Sequence, residues 1–516
     1  MKLSYYFILI FIFSFSIAKG TTLNTEDYQQ QCKISGKIQN YDSTVPLIIL
    51  VNRVGMINEN IPILIDETGN FNGEFETEVP LDVWISYRAN FLVQLNPRDS
   101  IFIRFDGQML NRPELLKSVY FSGTNAETNY FIAKFQEIYY ASDLYNNRNR
   151  KENAFKNYNH QQFSLYNDSV YQESAALYAK FIKEYNPNEE SKNWANFFSR
   201  SDYLSNIGWY MYNHRSYNAL SLFDKLEIPL DFWDPLLDIF PIDRAHLKNA
   251  YNLNEIINTV KNYSIECLRD KWSSNKNDDT DWGFLPSGIL GGGDSNKLDS
   301  LELYSAIAYI PDTLMKEISI MSIINKDLDE QKITTYQTYQ KTLQKEISSI
   351  YFRNLLHKKY LKVKSNLENP KFNTETILKD YSNKNSTNLL KEIIDTNDGK
   401  VIYVDLWATW CGPCISEMPN SKAIEAEFDK KNVSFVYIAV HSEEATAKAK
   451  VAEMQMGGQH YFLNSIQSNQ LFQALGVKAI PHYIIIDQQG EIVHSGNHVR
   501  PNQAKPIIKE LLNEDN

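Results

Sequence analysis

The spacing of apolar and polar positions changes character twice along the chain. From residue 33 to about residue 107, short apolar runs alternate with polar stretches. The runs at 33–38, 47–54, 61–66, 70–76, 83–95 and 101–105 predict strands, the fourth entered across the turn Glu67-Thr68-Gly69. Short strands with polar turns between them predict a β-sandwich, assigned to residues 21–123. From Asn125 to Tyr381 the period becomes helical. Tyr178, Phe181, Ile182 and Tyr185 fall at i, i+3, i+4 and i+7, and Leu343, Ile347 and Ile350 are expected to share a face in the same way. Such stripes predict core faces rather than a cofactor site, so residues 124–381 are assigned to an all-helical middle region. The polar stretch 382–388 is the expected linker.

Beyond the linker, strands and helices alternate. Residues 401–406 predict a buried strand, 411–430 a helix interrupted at Pro419, 433–440 a second strand and 443–456 a second helix. A short helix ends near Gly476, 482–487 and 491–495 form a hairpin about Gln489-Gly490, and 501–512 closes as a helix. This order predicts a sheet with helices on both faces, so residues 382–516 are assigned to an α/β domain.

Met1-Lys2, an almost uncharged run from Leu3 to Ala18, and Ala18-Lys19-Gly20 predict a secretory signal peptide over residues 1–20. The run is too short for a membrane span, which needs about 20 apolar residues. Cys32 lies behind Gln29-Gln30-Gln31, too far from the apolar run for a lipoprotein cleavage box. The mature protein is therefore expected to be exported, with membrane association left open. Hydrophobic residues make up 43% of the 516 positions, enough to bury a core in each of three domains. Four cysteines in such a chain do not make a disulfide-stapled scaffold. The net charge of −11 argues against nucleic acid or anionic membrane surfaces as targets.

Candidate chemistry gathers at Trp410-Cys411-Gly412-Pro413-Cys414, directly behind the apolar run 401–407. Two thiols separated by two residues close a disulfide within one helical turn. Cys411 at the helix start meets unpaired N–H groups and the helix dipole, which favour a thiolate and make it the nucleophile. Cys414, one turn in and less exposed, is placed to resolve the mixed disulfide. Pro413 fixes φ in the first turn and stiffens the spacing of the sulfurs. The same spacing also supplies half of a zinc site. Zinc needs a second pair of ligands, and Cys32, Cys267, His441, His460, His482, His494 and His498 provide none at that spacing. No metal and no cofactor is expected. Gly291-Gly292-Gly293-Asp294-Ser295 lacks the Lys-Ser/Thr of a phosphate loop and predicts a flexible loop. Cys267 falls in an apparent helix over 253–272, remote from Cys32, and both are expected to be free thiols.

Val404-Asp405-Leu406-Trp407-Ala408-Thr409-Trp410-Cys411-Gly412-Pro413-Cys414, with Ile480-Pro481 downstream, resembles a thioredoxin-fold domain, and more closely the TlpA/ResA-type thiol:disulfide oxidoreductases, over residues 387–516. The resemblance implies that Asp405 is a buried acid beneath Cys414, able to accept its proton; the alternative is a solvated Asp at a strand end. Glu417 matches an acid carried by the TlpA/ResA type and implies tuning of both thiols, although helix starts attract Glu in any case. Ile480-Pro481 matches a cis-proline facing the dithiol, with Ile480 pairing to an extended substrate and Trp410 as an apolar lid. His482 departs from the family's more usual Thr. Gly412-Pro413 is the dipeptide of thioredoxin, whose couple lies near about −270 mV, and points to a reductant. The N-terminal strands, with Phe121-Ser122-Gly123-Thr124-Asn125, resemble the β-domain ahead of such modules in exported Bacteroidota proteins.

The resemblance thus implies a periplasmic enzyme that reduces or reshuffles disulfides of exported proteins, with a membrane thiol carrier as electron donor, and apocytochromes left open among the substrates. The alternative is a redox-sensing binding protein whose N-terminal and helical regions capture a partner. A peroxiredoxin-type peroxidase is disfavoured, because its Pro-x-x-x-Thr-x-x-Cys pattern meets Val404 and Ala408 here.

Overall fold

The computed structural model describes residues 31–56, 58–218, 228–238, 242–274, 295–382 and 384–513. The expected signal peptide and the glycine run 291–294 lie outside these residues. Seven strands come first: β1 (Gln31–Gln39), β2 (Leu47–Val51), β3 (Glu59–Ile63), β4 (Asn70–Glu76), β5 (Leu81–Ser86), β6 (Asn90–Leu95) and β7 (Ser100–Asp106). A short helix, α1 (Arg112–Ser118), then leads into β8 (Tyr120–Gly123). They form two four-stranded sheets, ordered β4-β1-β7-β8 and β3-β2-β5-β6. Alternation sets the faces: β1 buries Cys32, Ile34, Gly36 and Ile38 and exposes the lysines between them. At Gly36 a Cβ would fall 2.1 Å from the Ile103 carbonyl oxygen, so only glycine lets these strands approach.

The single strand expected over 83–95 is two. Tyr87-Arg88-Ala89 makes a turn, closed by Tyr87 N–H donating to the Ala89 carbonyl at 3.1 Å, and β5 folds back on β6 with Ser86 opposite Asn90. The Tyr87 hydroxyl is anchored to the backbone of Asp42, which fixes the turn. A propensity reading cannot see this, because every residue from Leu81 to Leu95 tolerates extended backbone.

Helices α2 (Ala126–Tyr140), α3 (Asp143–Asn146), α4 (Arg148–Asn157), α5 (His160–Tyr185), α6 (Glu189–Tyr217) and α7 (Asp234–Leu237) follow. Then come α8 (Ala250–Ser274), α9 (Ser295–Tyr309), α10 (Thr313–Asp329), α11 (Thr334–Glu346) and α12 (Ile350–Glu368). Phe181 is fully buried, with Tyr178, Ile182 and Tyr185 packed beside it, as the stripe on α5 predicts. The second stripe fails at Ile350. Ile347 ends α11 and is buried, whereas Ile350 opens α12 and is 66% exposed, because the chain turns between them.

One apolar core runs continuously from Cys32 to Val363, through both sheets and the helices. Polar ties reinforce it. Asn254 on α8 accepts from Gly55 N–H at 2.8 Å and donates to the Arg53 carbonyl, while Asn325 on α10 donates to the Gly55 carbonyl at 2.9 Å. The β-rich and helical regions therefore fold against each other along their length.

The C-terminal region contains β9 (Thr376–Lys379), α13 (Leu389–Thr396), β10 (Val401–Trp407), α14 (Gly412–Glu425), β11 (Val433–Ala439) and α15 (Glu444–Met454). It ends with β12 (Gly458–Phe462), α16 (Ser465–Leu475), β13 (His482–Ile486), β14 (Ile492–Gly496) and α17 (Pro501–Asn513). Its six-stranded sheet has the order β14-β13-β10-β11-β12-β9, with β10 central, parallel to β11 and antiparallel to β13. Helix α14 continues through Pro419 rather than breaking there. Residues 384–388 of the expected linker are not a free tether. Ser386 is buried and donates to the Gln467 carbonyl, and Gln467 reaches back to the carbonyls of Tyr381 and Lys384. With β9 paired to β12 as well, the sheet begins ahead of residue 382.

A partly buried contact joins this region to the helices. Glu453 on α15 accepts from Gln331 at 2.9 Å and pairs with Lys450 at 2.7 Å and Lys362 of α12 at 3.2 Å.

Candidate active site

All seven residues of β10 are buried, and alternate side chains serve opposite faces of the sheet. Ile402, Val404 and Leu406 pack on one side, while Val401, Tyr403 and Trp407 share the other with Cys411 and Cys414. Asp405 belongs to this second set. Its register neighbours are Tyr437 on β11 and Tyr483 on β13.

After Trp407 the chain turns and α14 begins, with Cys411 as its N-cap. The Cys411 sulfur accepts the Cys414 N–H at 3.3 Å, so it takes one of the donors that a helix start leaves open. Cys411 and Cys414 are joined in a disulfide with Cα atoms 5.3 Å apart. Cys411 is 4% exposed and Cys414 0%, so Cys414 is the less exposed as the sequence predicts, although Cys411 is buried as well. Pro413 stands in the first turn. A Cβ added at Gly412 would meet nothing within 4 Å, so the space above this residue is open. Trp410 is 49% exposed, and its indole N–H donates to the His441 carbonyl at 2.9 Å, which fixes the ring at the rim.

Asp405 is 0% exposed, and neither of its carboxylate oxygens has a hydrogen-bond partner. Burial, with the nearby Glu417 charge adding to it, pushes the carboxyl from the ordinary 3.8 up to about 8. The solvated strand-end alternative is thereby excluded. Tyr403 and Tyr483 stack 5.8 Å apart on the same face, and burial holds both phenols above their ordinary range.

Glu417 is not a bare helix-start residue. Its two oxygens are taken by Arg500 Nη1 and Asn420 Nδ2, each at 2.9 Å. The sequence reading missed Arg500, which lies just ahead of α17 and 83 positions from Glu417. Only the packing of α17 on α14 brings the pair together, and no local spacing signals it.

The Ile480–Pro481 peptide bond is cis. Pro481 is buried, and Ile480 touches the apolar clusters on both sides of the sheet. His482 pairs with the Ser495 hydroxyl at 2.9 Å, and burial followed by the His498 charge lowers its pKa. Cys32 and Cys267 are free thiols, remote from the dithiol. Among the described residues no three His, Cys, Asp or Glu side chains gather as metal ligands, and no helix is long and apolar enough to cross a membrane.

Residues 370–512 match the Redoxin family model. The chain is 27% identical over 117 residues to the thiol-disulfide oxidoreductase ResA of Halalkalibacterium halodurans, covering 22% of this chain and 62% of that protein. It is 26% identical over 99 residues to the thiol:disulfide interchange protein HelX of Rhodobacter capsulatus, covering 19% of this chain and 53% of the relative. The chain thus spans less than two thirds of the length of either relative. Among solved structures, a thiol:disulfide interchange protein from a Bacteroides species aligns with a TM-score of 0.22 and 20% identity, over 23% of this chain and 78% of its own.

Proposed function

We propose that this protein is an exported thiol:disulfide oxidoreductase that reduces disulfides of other exported proteins. The observation that carries this reading is the Cys411–Cys414 disulfide at the head of α14, on the same sheet face as a buried, unpartnered Asp405 carboxyl. In the reduced enzyme the Cys411 thiolate attacks one sulfur of a substrate disulfide, a mixed disulfide forms, and the other substrate sulfur leaves as a thiolate. With a pKa of about 8, roughly a tenth of Asp405 is ionised at pH 7, and that carboxylate form accepts the Cys414 proton. The resulting thiolate attacks the Cys411 sulfur, which closes the Cys411–Cys414 disulfide and releases the second substrate thiol. Two electrons pass to the substrate. A membrane thiol carrier returns them by the reverse exchange.

Ile480, Pro481 and the exposed Trp410 are assigned to substrate contact, and Gly412 leaves the approach clear. Glu417 acts on the thiols through its charge beside Asp405. The two N-terminal sheets are read as a β-sandwich, and the site of action as the periplasm, in keeping with the expected signal peptide. Reduction of insulin by the mature chain, with dithiothreitol supplied in limiting amount, tests the reading. Turbidity should rise with the wild type and fail with Cys411→Ser. A wild type no faster than dithiothreitol alone would sink it in favour of a binding protein that only senses redox state.

A further inference from the structure

Outside the dithiol region, α2, α4, α6 and α8 surround a cavity of about 500 Å³ that opens to the surface. That volume lies in the range of small-ligand sites, roughly 300 to 1,000 Å³. Its deep wall is aromatic, with Tyr140, Phe155 and Phe198 all buried. Polar groups converge on this floor without being used up by the fold. Asn252 is 4% exposed; its Nδ2 donates to Ser201 at 2.7 Å, and its Oδ1 has no partner.

Asp202, one residue from that serine, lines the cavity with no hydrogen bond or ion pair to its carboxylate among the described residues. Burial, then the Glu255 charge, pushes it up to about 6. Glu255 lines the cavity as well, and burial raises its pKa. By charge the lining balances, Arg112, Arg148 and Lys151 against Glu152, Asp202 and Glu255, but by hydrogen-bonding valence it does not. Arg112 is already committed, donating to Asn90 at 2.6 Å and to the Tyr145 hydroxyl at 3.0 Å, with its guanidinium over the Trp84 and Tyr140 rings. Arg148 and Glu152, both exposed, line the cavity as one charge of each sign. Lys151 lies beside Glu255, with its ammonium 5.8 Å from the Phe155 ring centroid. The acceptors left without a donor among the described residues are the Asp202 carboxylate and the Asn252 Oδ1, walled by Tyr145, Tyr251 and Trp209.

Acceptors in excess, set among aromatic faces, suit a donor-rich cation with an apolar stem. We propose that this cavity is a second binding site, independent of the dithiol, for an alkyl ammonium or guanidinium group. Its head would meet Asp202 and the Asn252 Oδ1, and its stem the aromatic walls. The group can come from a free small amine or from a Lys or Arg side chain of a polypeptide.

Calorimetric titration of the oxidised full chain with agmatine, and separately with a blocked Gly-Arg-Gly tripeptide, tests this. Binding of either probe is expected, weakened tenfold or more by Asp202→Asn and by Glu255→Gln, and unchanged by Cys411→Ser. Tighter binding of the tripeptide assigns the source to a polypeptide, and tighter binding of agmatine to a free amine. Because Asp202 has no partner to lose, the unfolding midpoint of unliganded Asp202→Asn should stand at or above that of the wild type. If that variant does not fold, Glu255→Gln, nearer the rim, decides. No heat with either probe up to about 10 mM, or equal affinity in wild type and variants, overturns the proposal.

Discussion

Replacing Asp405 by Asn should make the oxidised protein more stable at neutral pH, and the gain should vanish in acid. The carboxyl titrates near 3.8 when unfolded and at about 8 when buried in the sheet. An acid whose folded pKa is raised leaves stability intact below 3.8 and erodes it as pH climbs towards 8, because the unfolded chain ionises while the folded one must stay protonated. At about 1.4 kcal/mol per unit, the three units between 3.8 and 7 amount to a penalty of the order of 4 kcal/mol at pH 7. Asn carries no such penalty. Its amide would be as unpartnered as the carboxyl it replaces, so that cost nearly cancels, and a net gain of roughly 2 to 4 kcal/mol remains. Urea unfolding of the oxidised chain, followed by hydrogen-exchange mass spectrometry of the β10 peptide, reads the gain where it arises. The midpoint should rise clearly at pH 7 and coincide with the wild type near pH 4. A loss of stability at pH 7, or an equal gain at both pH values, would show that Asp405 is not held neutral. The same variant should resolve mixed disulfides more slowly than it forms them, which stopped-flow kinetics would separate.

Cys414→Ser should trap substrates as mixed disulfides through Cys411, while Cys411→Ser should trap few; equal trapping on diagonal gels would reverse the attacker and the resolver. Glu417→Gln removes a charge that raises Asp405 and should move the pH profile of resolution to lower pH, whereas Arg500→Met removes the counter-charge and should move it higher. Shifts in the same direction would break the proposed link between the pair and Asp405. The oxidised chain, unfolded in a thiol-blocking denaturant, should show two alkylatable thiols, Cys32 and Cys267, and a linked peptide containing both would contradict the structure.

The redox centre was legible because its parts are local. A largely apolar strand carrying a single acid, Asp405, a turn and a Cys-x-x-Cys helix start lie within 14 positions from Val401 to Cys414, and the periodicities at 433–440 and 482–495 supply the neighbouring strands. Features set by distant partners were not. Strand β12 carries His460, which is buried only because it stacks on Tyr437 at 5.0 Å and pairs along β11. Four-residue β9 has no pattern of its own until β12 offers an edge. Arg500 is an unremarkable surface cation until α17 docks, and Ile350 was misread because a helical period cannot register the turn before it.

The Glu453 contact has a consequence for substrate choice. With Gln331 and Lys362 bonded to α15, and Ser386 bonded to Gln467 of α16, the dithiol is not a lure on a swinging arm. Any chain that rests on the body of the protein meets Cys411 at one preset distance and bearing. Tethering of that kind raises local concentration only for disulfides whose offset matches the span, and contributes nothing to those that fall short or overshoot. For a substrate held in that way, selection would work as a ruler does, by length along the chain rather than by the sequence that flanks its cysteines.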